Sequence, residues 1–448
     1  MRLQIIDPNE GYACGTCSKC CQQPYSIVIE QDKAAALAGA DFSGYPQLQG
    51  KEFYYASPDA PEGIFVVPKQ TGTTKCLFLD SDGLCIIHKE LGPEAKPKPC
   101  LRFPYHDSPT FVDHRVSVNF GCPSVLRDMG PRLVGQQEDI AATSRISQAA
   151  PNHDAFVALN AETGLPHADF DRLANSLEHF FLPGRNTSVW EAFAASLNLV
   201  QETVRKRVAD DSDLSHWLKS EKARQDAESG VSIEPFGVAS AAPSAVRLRF
   251  AATLLRDAVP KEVTLNMSLW RRLMTLPKLM PLAKLTGEYY SKVQQRTIDI
   301  DQVVAHSLPA GIDAGATELL KRCFRARIWQ RFLIGTRLSV TAGLHQHIHD
   351  LNAILFLSRA DACHLGEPRL TKDIVAENLS RFEFNFANQI RLFRHNSLGW
   401  FTDQLNDMGL ARSSLRLFAL PAASGHRPAP VDANLVAGVN ASPTSVQI

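Results

Sequence analysis

An excess of charge of one sign is the first thing this sequence lacks. Its 448 residues contain 47 Lys plus Arg and 47 Asp plus Glu, which gives a formal net charge of zero. A strongly basic chain would indicate nucleic acid or an anionic membrane as a partner, whereas a balanced chain indicates neither and leaves only local patches open. We therefore expect no nucleic acid and no membrane among its partners.

Long apolar runs are missing as well. No uninterrupted apolar stretch reaches the about 18 residues that span a bilayer, and the first residues, MRLQIIDPNEGYACG, lack the basic segment and apolar run of a secretory signal peptide. The sequence therefore predicts a cytoplasmic protein. In that reducing compartment a dense set of cysteines binds metal or does redox chemistry more often than it forms disulfides; four disulfides are the alternative for a secreted chain.

Three short motifs of common enzyme classes are also absent. The sequence has no Walker loop, no Rossmann GxGxxG and no nucleophile elbow, and it shows no internal repeat. These absences exclude several classes of nucleotide-dependent enzymes and hydrolases. They do not exclude S-adenosylmethionine, because that cofactor can be bound without a short diagnostic motif.

Cysteine, in contrast, is concentrated near the start of the chain. Eight of the ten cysteines follow the pattern C-x2-C-x2-C-C and then C-x8-C-x14-C-x21-C, while Cys323 and Cys363 are isolated and are expected in the core. Thiolates are soft ligands that select zinc, iron–sulfur clusters or copper(I), and eight of them could complete two four-sulfur sites. The predicted metal ligands are Cys14, Cys17, Cys20, Cys21, Cys76, Cys85, Cys100 and Cys122.

The cysteine spacing favours an iron–sulfur cluster over zinc. The run from Cys14 to Cys20 has the spacing of the first three ligands in ferredoxin-type motifs, and Cys122-Pro123 could supply their remote Cys-Pro ligand. A zinc-stapled fold without catalysis is the alternative, although only the first group contains the CxxC turn that zinc sites commonly use twice. Adjacent cysteines seldom bind one ion together, so either Cys20 or Cys21 is expected to reach a second centre, a neighbouring cluster or a substrate.

Short strands and a helix are predicted between the first and second groups of cysteines. Residues 25–29 are expected to form a strand that leads into a helix beginning near Gln31. Residues 53–55 and 64–68 are expected to form two further strands. This regular structure would anchor the ligands.

The later cysteines are predicted to lie on constrained backbone. The segment KCLFLDSDGLCIIHKELG resembles a hairpin with its turn at residues 80–83, which would bring Cys76 and Cys85 close together. Three prolines around Cys100 predict a rigid extended loop. Cys122 is expected to follow a strand that ends at Gly121.

Three histidines and five basic residues accompany these cysteines. The histidines are candidate ligands or acid–base groups, and solvent-facing or locally hydrogen-bonded side chains are the alternative. The basic residues either neutralise an anionic thiolate cluster or form a solvated face, and the solvated face is the default expectation. These residues are His88, His106 and His114, and Lys75, Lys89, Lys96, Lys98 and Arg102.

The four-part order CxxCxxCC, CLFLDSDGLCIIH, CLRFP and GCP resembles the YkgJ-type CxxCxxCC cysteine-cluster family, which is described as zinc- or iron-chelating, over about residues 10–128. The cluster followed by a long helical region also resembles the flagellin lysine-N-methylases. That resemblance implies the eight cysteines as ligands of an iron–sulfur cluster, S-adenosylmethionine as methyl donor and a flagellin-like protein substrate. The spacing is not the CxxxCxxC of radical S-adenosylmethionine enzymes.

From residue 131 onward the sequence shows mainly helical patterns. Residues 210–244 are charged and then rich in Ser, Gly, Ala and Pro, which indicates a mobile connection. We predict an α+β protein with a small cysteine-rich metal-binding domain of short strands at residues 8–130, a mainly α-helical domain at 131–420 and a disordered tail at 421–448. The predicted helices are 169–181, 187–208, 245–257, 316–349, 371–394 and about 398–417.

Two polar clusters lie in the predicted helix 316–349. The sequence GLHQHIHDLN would place His345 and His349 on one helix face, a zinc-competent i, i+4 pair with Asp350 beside it, and satisfied or exposed histidines are the alternative. Five arginines either cradle an acidic partner or a phosphate-bearing ligand, or form a solvated basic face, which we prefer. The clusters comprise His345, His347 and His349, and Arg322, Arg325, Arg327, Arg331 and Arg337.

The sequence thus predicts a cysteine-ligated metal protein, with an iron–sulfur cluster preferred and zinc as the alternative. The resemblance makes S-adenosylmethionine-dependent methylation of a protein lysine the most specific candidate activity. A non-catalytic zinc-binding adaptor or structural interaction protein is the rival from another class. The sequence identifies no catalytic residue.

Overall fold

The computed structural model describes residues 2–23, 26–57, 62–109, 113–145, 156–160, 162–235, 239–258, 276–329, 339–385 and 408–420. The predicted mixture of α and β structure is confirmed in this part of the chain. It divides into two compact units. The cysteine-rich unit comprises the described residues of 2–107 and 114–145, and the helical unit comprises those of 108–113 and of the chain from residue 156 onward.

Short strands and helices build the cysteine-rich unit. Its strands are β1 (Arg2–Ile5), β2 (Ile27–Glu30), β3 (Tyr55–Ala56), β4 (Ile64–Val67), β5 (Tyr105–Pro109) and β6 (Asp113–Val118), the β5–β6 tip being grouped with the helical unit. Its helices are α1 (Gln31–Ala38), α2 (Ile86–Leu91), α3 (Lys98–Arg102), α4 (Pro123–Leu126) and α5 (Gln137–Arg145). The strands form two sheets, in the orders β1–β6–β5 and β2–β4–β3.

The sheet β2–β4–β3 supplies the core against which several cysteines pack. In β2 the side chains alternate, with Ile27 and Ile29 buried and Val28 exposed, as expected for a strand with one face on the core. The strands are antiparallel, and Ile27 is opposite Val67 in β4. Strand β2 and helix α1 confirm the predictions for this stretch, and the two later strands also form, although β3 is displaced to residues 55–56.

Aromatic side chains close this core beneath the Cys76–Cys85 segment. Phe78 is fully buried, and its ring centroid lies 5.7 Å from that of Phe42 and 5.6 Å from that of Phe53. The predicted turn is present: the N–H of Asp80 donates to the carbonyl oxygen of Leu84 at 2.9 Å. The returning strand of the predicted hairpin is shorter than predicted: Cys85 pairs with Leu79, but α2 begins at Ile86 and buries Ile86 and Ile87 on the core side.

Cys100 lies in a helix rather than in the predicted extended loop. Helix α3 is short, and its proline falls in the first turn, where a missing backbone N–H breaks no helical hydrogen bond. The strand before Cys122 ends at Val118 instead of Gly121, and Cys122 caps the N-terminus of α4. Proline therefore marks helix starts at both cysteines.

The division between the units lies later in the chain than the predicted boundary at residue 130. The N–H of Leu133 donates to the carbonyl oxygen of Glu10 at 2.9 Å, and that of Val134 donates to Pro8 at 2.9 Å. Leu133 and Ile140 are also buried. Residues 131–145 are therefore tied to the start of the chain and belong with the cysteine-rich unit.

Helices dominate the second unit, with two β-hairpins between them. The hairpin strands are β7 (Phe156–Ala158) with β8 (Gly164–Pro166), and β9 (Glu288–Ser291) with β10 (Arg296–Asp299). The helices are α6 (His167–Phe180), α7 (Val189–Val208), α8 (Leu214–Lys219), α9 (Glu221–Glu228), α10 (Ser244–Ala258), α11 (Leu276–Lys284), α12 (Ile300–Ala305), α13 (Ala314–Trp329), α14 (Val340–Leu365), α15 (Lys372–Asn385) and α16 (Met408–Leu415).

Local sequence signals account for several of these helices. Helix α7 begins with a capping box, in which the Ser188 side chain accepts from the N–H of Glu191 and the Glu191 carboxylate accepts from the N–H of Ser188. Helices α6, α7 and α10 confirm the predicted ones. The single helix predicted over 316–349 is wrong, because Ser339 is extended and caps a new helix, α14. The predicted helical residues 386–394 and 398–407 and the tail 421–448 lie outside the described residues.

The segment predicted as a mobile connection, 210–244, contains packed helices in its described part. Helix α8 buries Leu214 and Leu218, and α9 buries Ala223 and Ala227. The charged residues that suggested mobility occupy the opposite faces of these short amphipathic helices.

The prediction that the arginines form a solvated face is wrong for Arg325 and Arg327. Arg327 is 1% exposed; its Nε donates to Glu383 at 2.8 Å and its Nη1 to Asp350 at 3.0 Å. Arg325 is also buried, and its Nη2 donates to Glu178 at 2.6 Å. These arginines are held by carboxylates of their own unit. Arg331 and Arg337 lie outside the described residues.

Within the ranges that the structure describes, no helix combines the length and the apolar character needed to cross a bilayer.

Candidate metal centre

The first four cysteines follow one another around a tight turn. Cys20 and Cys21 lie in a 3₁₀ helix, Lys19–Gln22, and the preceding Thr16 and Ser18 have positive φ angles of 49° and 54°. The N–H of Cys21 donates to the carbonyl oxygen of Ser18 at 2.9 Å and closes the turn. Left-handed backbone is costly for residues that carry a Cβ, and such positions concentrate at functional sites.

One set of four cysteines, the inner group, packs against the core of the sheet β2–β4–β3. Cys76 is part of that core with 7% of its surface exposed, and the other three pack against it partly buried. The N–H of Cys76 donates to the carbonyl oxygen of Cys21 at 2.8 Å, and Leu79 pairs with Cys85 in an isolated β-bridge. The inner group consists of Cys21, Cys76, Cys85 and Cys100.

The inner thiols disfavour one another's ionisation. Burial, with added repulsion from charge at Cys85 and Cys20, raises the pKa of Cys76 to about 11, although the nearby backbone N–H of Phe78 lowers it. Burial also raises the pKa of Cys100, with further repulsion from Cys76 and Cys85. Thiolates gathered in this way require a bound cation before all of them can ionise.

The remaining four cysteines, the outer group, are held by a different part of the unit. The N–H of Gly15 donates to Ser124 Oγ at 3.1 Å, which fixes the loop between Cys14 and Cys17 beside the helix that Cys122 caps. Cys14 and Cys17 are exposed, Cys20 is partly buried and Cys122 is buried. The outer group consists of Cys14, Cys17, Cys20 and Cys122.

Electrostatic interactions connect the members of the outer group. Burial raises the pKa of Cys122, and charge at Cys17 and Cys20 raises it further, whereas the nearby backbone N–H groups of Val125 and Ser124 lower it. Burial raises the pKa of Tyr12, with further contributions from charge at Cys14 and Cys122. All four sulfurs therefore act on the same small region.

Glycine and an ion pair hold the outer loop in position. Gly130 has a φ of +96°, and a Cβ at this position would lie 2.4 Å from the Cβ of Ala13. The N–H of Gly11 donates to Asp128 Oδ1 at 2.6 Å, and Arg132 Nη1 donates to the other oxygen of that carboxylate at 2.7 Å. The loop that carries Cys14 is therefore packed against the segment after Cys122 too closely for a side chain to intervene.

Cys20 and Cys21 join the two groups. Their sulfurs lie 3.9 Å apart, and this hydrogen bond, followed by burial, raises the pKa of Cys20. Cys21 packs on the inner core, and charge at Cys20 acts on Cys122 as well as on Cys76 and Cys100. The expectation that one of the two reaches a second centre, a neighbouring cluster or a substrate stays a prediction.

Two lysines supply positive charge near the thiols. Lys69, whose own pKa is lowered by burial, favours the thiolate of Cys76, and Lys96 favours that of Cys100. Lys89 instead donates to the two aspartates of the preceding turn at 2.6 Å each. Lys96 belongs to the set for which a solvated face is the default expectation, and its charge instead favours a thiolate, whereas Lys69 lies outside that set.

The three candidate histidines of this unit have local roles. His88 is exposed on α2. His106 Nε2 lies 2.9 Å from Asn119 Nδ2, and His114 Nδ1 lies 3.0 Å from Asp107 Oδ1. The locally hydrogen-bonded alternative therefore describes His106 and His114.

The donor set differs in its fit to the two metals that the sequence suggests. In the described parts of the chain, no three His, Cys, Asp or Glu side chains are arranged to hold a single metal ion. A tetrahedral zinc ion with Zn–S bonds of about 2.3 Å requires sulfurs roughly 3.8 Å apart. An iron–sulfur cluster needs a wider set, because its irons and sulfides lie between the thiolates. The chemistry of eight thiols in one unit fits either metal.

The histidines of the helical unit lie within its core. His345 and His349 share a face of α14, with their Nε2 atoms 3.1 Å apart, and Ser414 Oγ lies 3.4 Å from each. The expected neighbour, Asp350, instead accepts from Arg327 and from Gln346. The shared helix face is therefore confirmed, and the placement of Asp350 beside the pair is wrong.

His347 lies on the other side of α14, against the ring of Phe324 at 5.9 Å between centroids. Burial, with the charge of Arg327, lowers its pKa well below the ordinary value. The isolated Cys323 is fully buried, as predicted for a core residue, and Cys363 is partly buried.

Sequence reasoning missed the residues that hold the cysteines in place. Ser124 and Gly130 follow Cys122 closely, and a Ser or Gly at such spacing carries no distinctive signal. Their partners, Gly15 and Ala13, lie more than a hundred positions earlier in the chain. No protein-family model, no curated protein and no solved structure matches this chain.

Proposed function

We propose that the protein is an iron–sulfur enzyme that modifies another protein, with S-adenosylmethionine-dependent methylation of a lysine as its reaction. The observation that carries the metal centre is the gathering of eight thiols from four separate segments into one unit. The likeness of the cysteine pattern to the CxxCxxCC family and to flagellin lysine-N-methylases supports the reaction. A cytoplasmic location is part of the proposal, because exposed thiols such as Cys14 and Cys17 persist in a reducing compartment.

The iron–sulfur assignment is supported by the arrangement of the donors. The spacing of Cys14, Cys17 and Cys20 matches the first three ligands of ferredoxin-type motifs, and nearby backbone N–H groups lower the pKa values of Cys76 and Cys122. Backbone N–H groups close to ligand sulfurs stabilise the thiolate and tune the potential of a cluster. The cluster would supply redox chemistry or a Lewis-acidic iron to the reaction.

The rest of the chain has two tasks in this proposal. The cysteine-rich unit holds the outer sulfurs where reactants reach them, because Cys14 and Cys17 are exposed. The helical unit presents the protein substrate, flagellin-like in the proposed reaction, on a scaffold made rigid by buried ion pairs such as Arg327 with Asp350. A lysine must lose its ammonium proton before it can accept a methyl group.

Anaerobic purification tests the metal assignment. We expect brown protein with broad absorption near 400 nm, roughly the iron–sulfur signature, and comparable amounts of iron and acid-labile sulfide. Colourless protein with stoichiometric zinc would overturn the iron–sulfur assignment. Cys363→Ser, at a cysteine outside the metal groups, should retain the colour and serves as the control.

Mass spectrometry tests the reaction. Cluster-loaded protein is incubated with isotopically labelled S-adenosylmethionine and a lysate of its host, and labelled methyl groups are sought on lysines. We expect labelling that depends on the cluster and disappears in Cys17→Ser. Labelling that is absent with fully loaded protein would overturn the methylase proposal and leave the metal assignment standing.

A zinc-binding adaptor is the second candidate, and the inner group favours it. Cys76 and its partners pack into a hydrophobic core, as structural metal sites do. In this candidate the metal stabilises the fold and the helical unit binds a partner. Colourless, zinc-loaded protein without methylation activity is its expected result.

A further inference from the structure

Taking the proposed metal binding as its basis, we infer that the eight cysteines form two separate centres, an inner one that is less exposed and an outer one that is more exposed. The boundary between them falls between the adjacent Cys20 and Cys21. The inner centre takes Cys21, Cys76, Cys85 and Cys100, and its metal has a structural role. The outer centre takes Cys14, Cys17, Cys20 and Cys122, and its metal meets the external reactant. This division holds for iron–sulfur clusters and for zinc.

The two groups are supported by different frameworks. The inner group is built on the sheet β2–β4–β3 and the aromatic core around Phe78. The outer group is built on the segment after Cys122, through the hydrogen bond from Gly15 to Ser124 and the close packing of Gly130 on Ala13. Each framework orders its own sulfurs, so one centre can form without the other.

Hydrogen bonds also divide the adjacent pair. The carbonyl oxygen of Cys21 accepts from the N–H of Cys76, and the next carbonyl, that of Gln22, accepts from Thr74 Oγ1 at 2.7 Å. Both contacts tie the chain from Cys21 onward to the inner framework. Before Cys20, in contrast, Gly15 is tied to the outer framework. The change of framework therefore falls within the 3₁₀ helix that carries both cysteines.

Exposure separates the two groups in the same way. The outer group has two exposed members, Cys14 and Cys17, beside the partly buried Cys20 and the buried Cys122, whereas the inner group has one buried, three partly buried and no exposed members. A metal held by exposed ligands exchanges with solvent and reactants, whereas a metal packed on a hydrophobic core is shielded from both. Reaction is therefore assigned to the outer centre and fold stabilisation to the inner one.

Paired substitutions at adjacent positions test this division. Metal per chain is measured for Cys20→Ser and Cys21→Ser in the full-length protein, with Cys363→Ser as the control. Each variant should retain half of the metal that the wild-type protein binds. Cys20→Ser should retain the metal of the inner centre, and Cys21→Ser should retain the metal of the outer centre. A chelator, EDTA with bathophenanthroline, should release the metal left in Cys21→Ser quickly and the metal left in Cys20→Ser slowly.

The wild-type protein provides a second measurement that does not depend on a variant folding. Its metal should leave in a fast phase and a slow phase of equal size. Release in one phase, loss of all metal from both variants, or loss of the same half from both would overturn the division. Zinc in place of iron would overturn the iron–sulfur proposal but leave the two-centre result intact.

Discussion

In the helical unit the buried guanidinium of Arg327 is paired with carboxylates of the same unit, whereas in the cysteine-rich unit the inner thiols gather around one hydrophobic core. Arg327 lies between Asp350 and Glu383, with all three side chains no more than 5% exposed. Around the inner thiols, burial and mutual repulsion act together, and lysines such as Lys96 offset only part of that effect. The comparison teaches that Arg327 is neutralised within its own unit, whereas the inner thiols could all ionise together only if a cation from outside bound to them.

Removal of the proposed metal should have the largest effect of the changes considered, and it should act on one unit only. We expect the cysteine-rich unit to unfold and the helical unit to remain folded, because structural metal sites contribute about 10 kcal/mol or more to folding. Hydrogen exchange measured by mass spectrometry on metal-loaded and metal-free protein gives the result for each unit. Unchanged protection of β2 and β4 after complete metal removal would contradict the expected dependence on a cation.

Arg327→Met removes the cation from the helical unit. The variant should lose about 3–5 kcal/mol of unfolding free energy, because two carboxylates remain buried without their partner. Arg205→Met is the matched control: Arg205 is 67% exposed and paired with Glu202, and its loss should cost at most about 1 kcal/mol. Denaturant titration measures both, and an equal loss in the two variants would show that burial does not matter here.

Gly130→Ala affects the outer group without touching a sulfur. The variant places a Cβ at a positive φ and against Ala13, so we expect a loss of about 1–3 kcal/mol and faster release of the outer metal. Gly135→Ala is the control, since a Cβ added at that glycine would meet no atom within 4 Å. Metal release to a chelator and thermal unfolding are measured for both variants. Identical rates of metal release would show that Gly130 does not help to hold the outer group in position.

A pH titration should give the smallest effect. Burial, then the charges of Arg185 and Arg224, lowers the pKa of His179 to about 4. Because the unfolded chain binds this proton more tightly, the stabilisation is complete above the ordinary histidine pKa of about 6.5 and is lost as the pH falls toward 4. His179→Gln should flatten the dependence of unfolding free energy on pH over that range. The exposed His88→Gln should leave it unchanged.

Local patterns in the sequence were sufficient for the parts of the fold that depend on neighbouring residues. The amphipathic period and Pro183-Gly184 located α6, and the apolar run before Gln31 located β2 and α1. Prolines near Cys100 predict extended backbone because proline disrupts a helix interior. In the structure Pro99 instead occupies the first turn of α3, where proline is tolerated.

Contacts between distant residues explain what the sequence could not provide. Arg325 is buried because of Glu178, which lies 147 positions earlier, so its helix alone resembled a solvated basic face. The cysteine pattern identified all eight candidate sulfurs. Their division into two groups depends on backbone contacts such as Cys76 with Cys21 and on side-chain contacts such as Ser124 with Gly15, which spacing does not contain.

The two partners of the Gly15–Ser124 hydrogen bond leave the ribosome at different times during synthesis. These residues are 109 positions apart, so the first cysteines leave the ribosome well before their last partner. At 5–20 residues per second, this delay lasts roughly 5–20 s. During that time the thiols at positions 14–20 of the nascent chain are open to oxidation or to a metal-delivery protein. A metal site completed by Cys122 would therefore form only after translation has passed that residue.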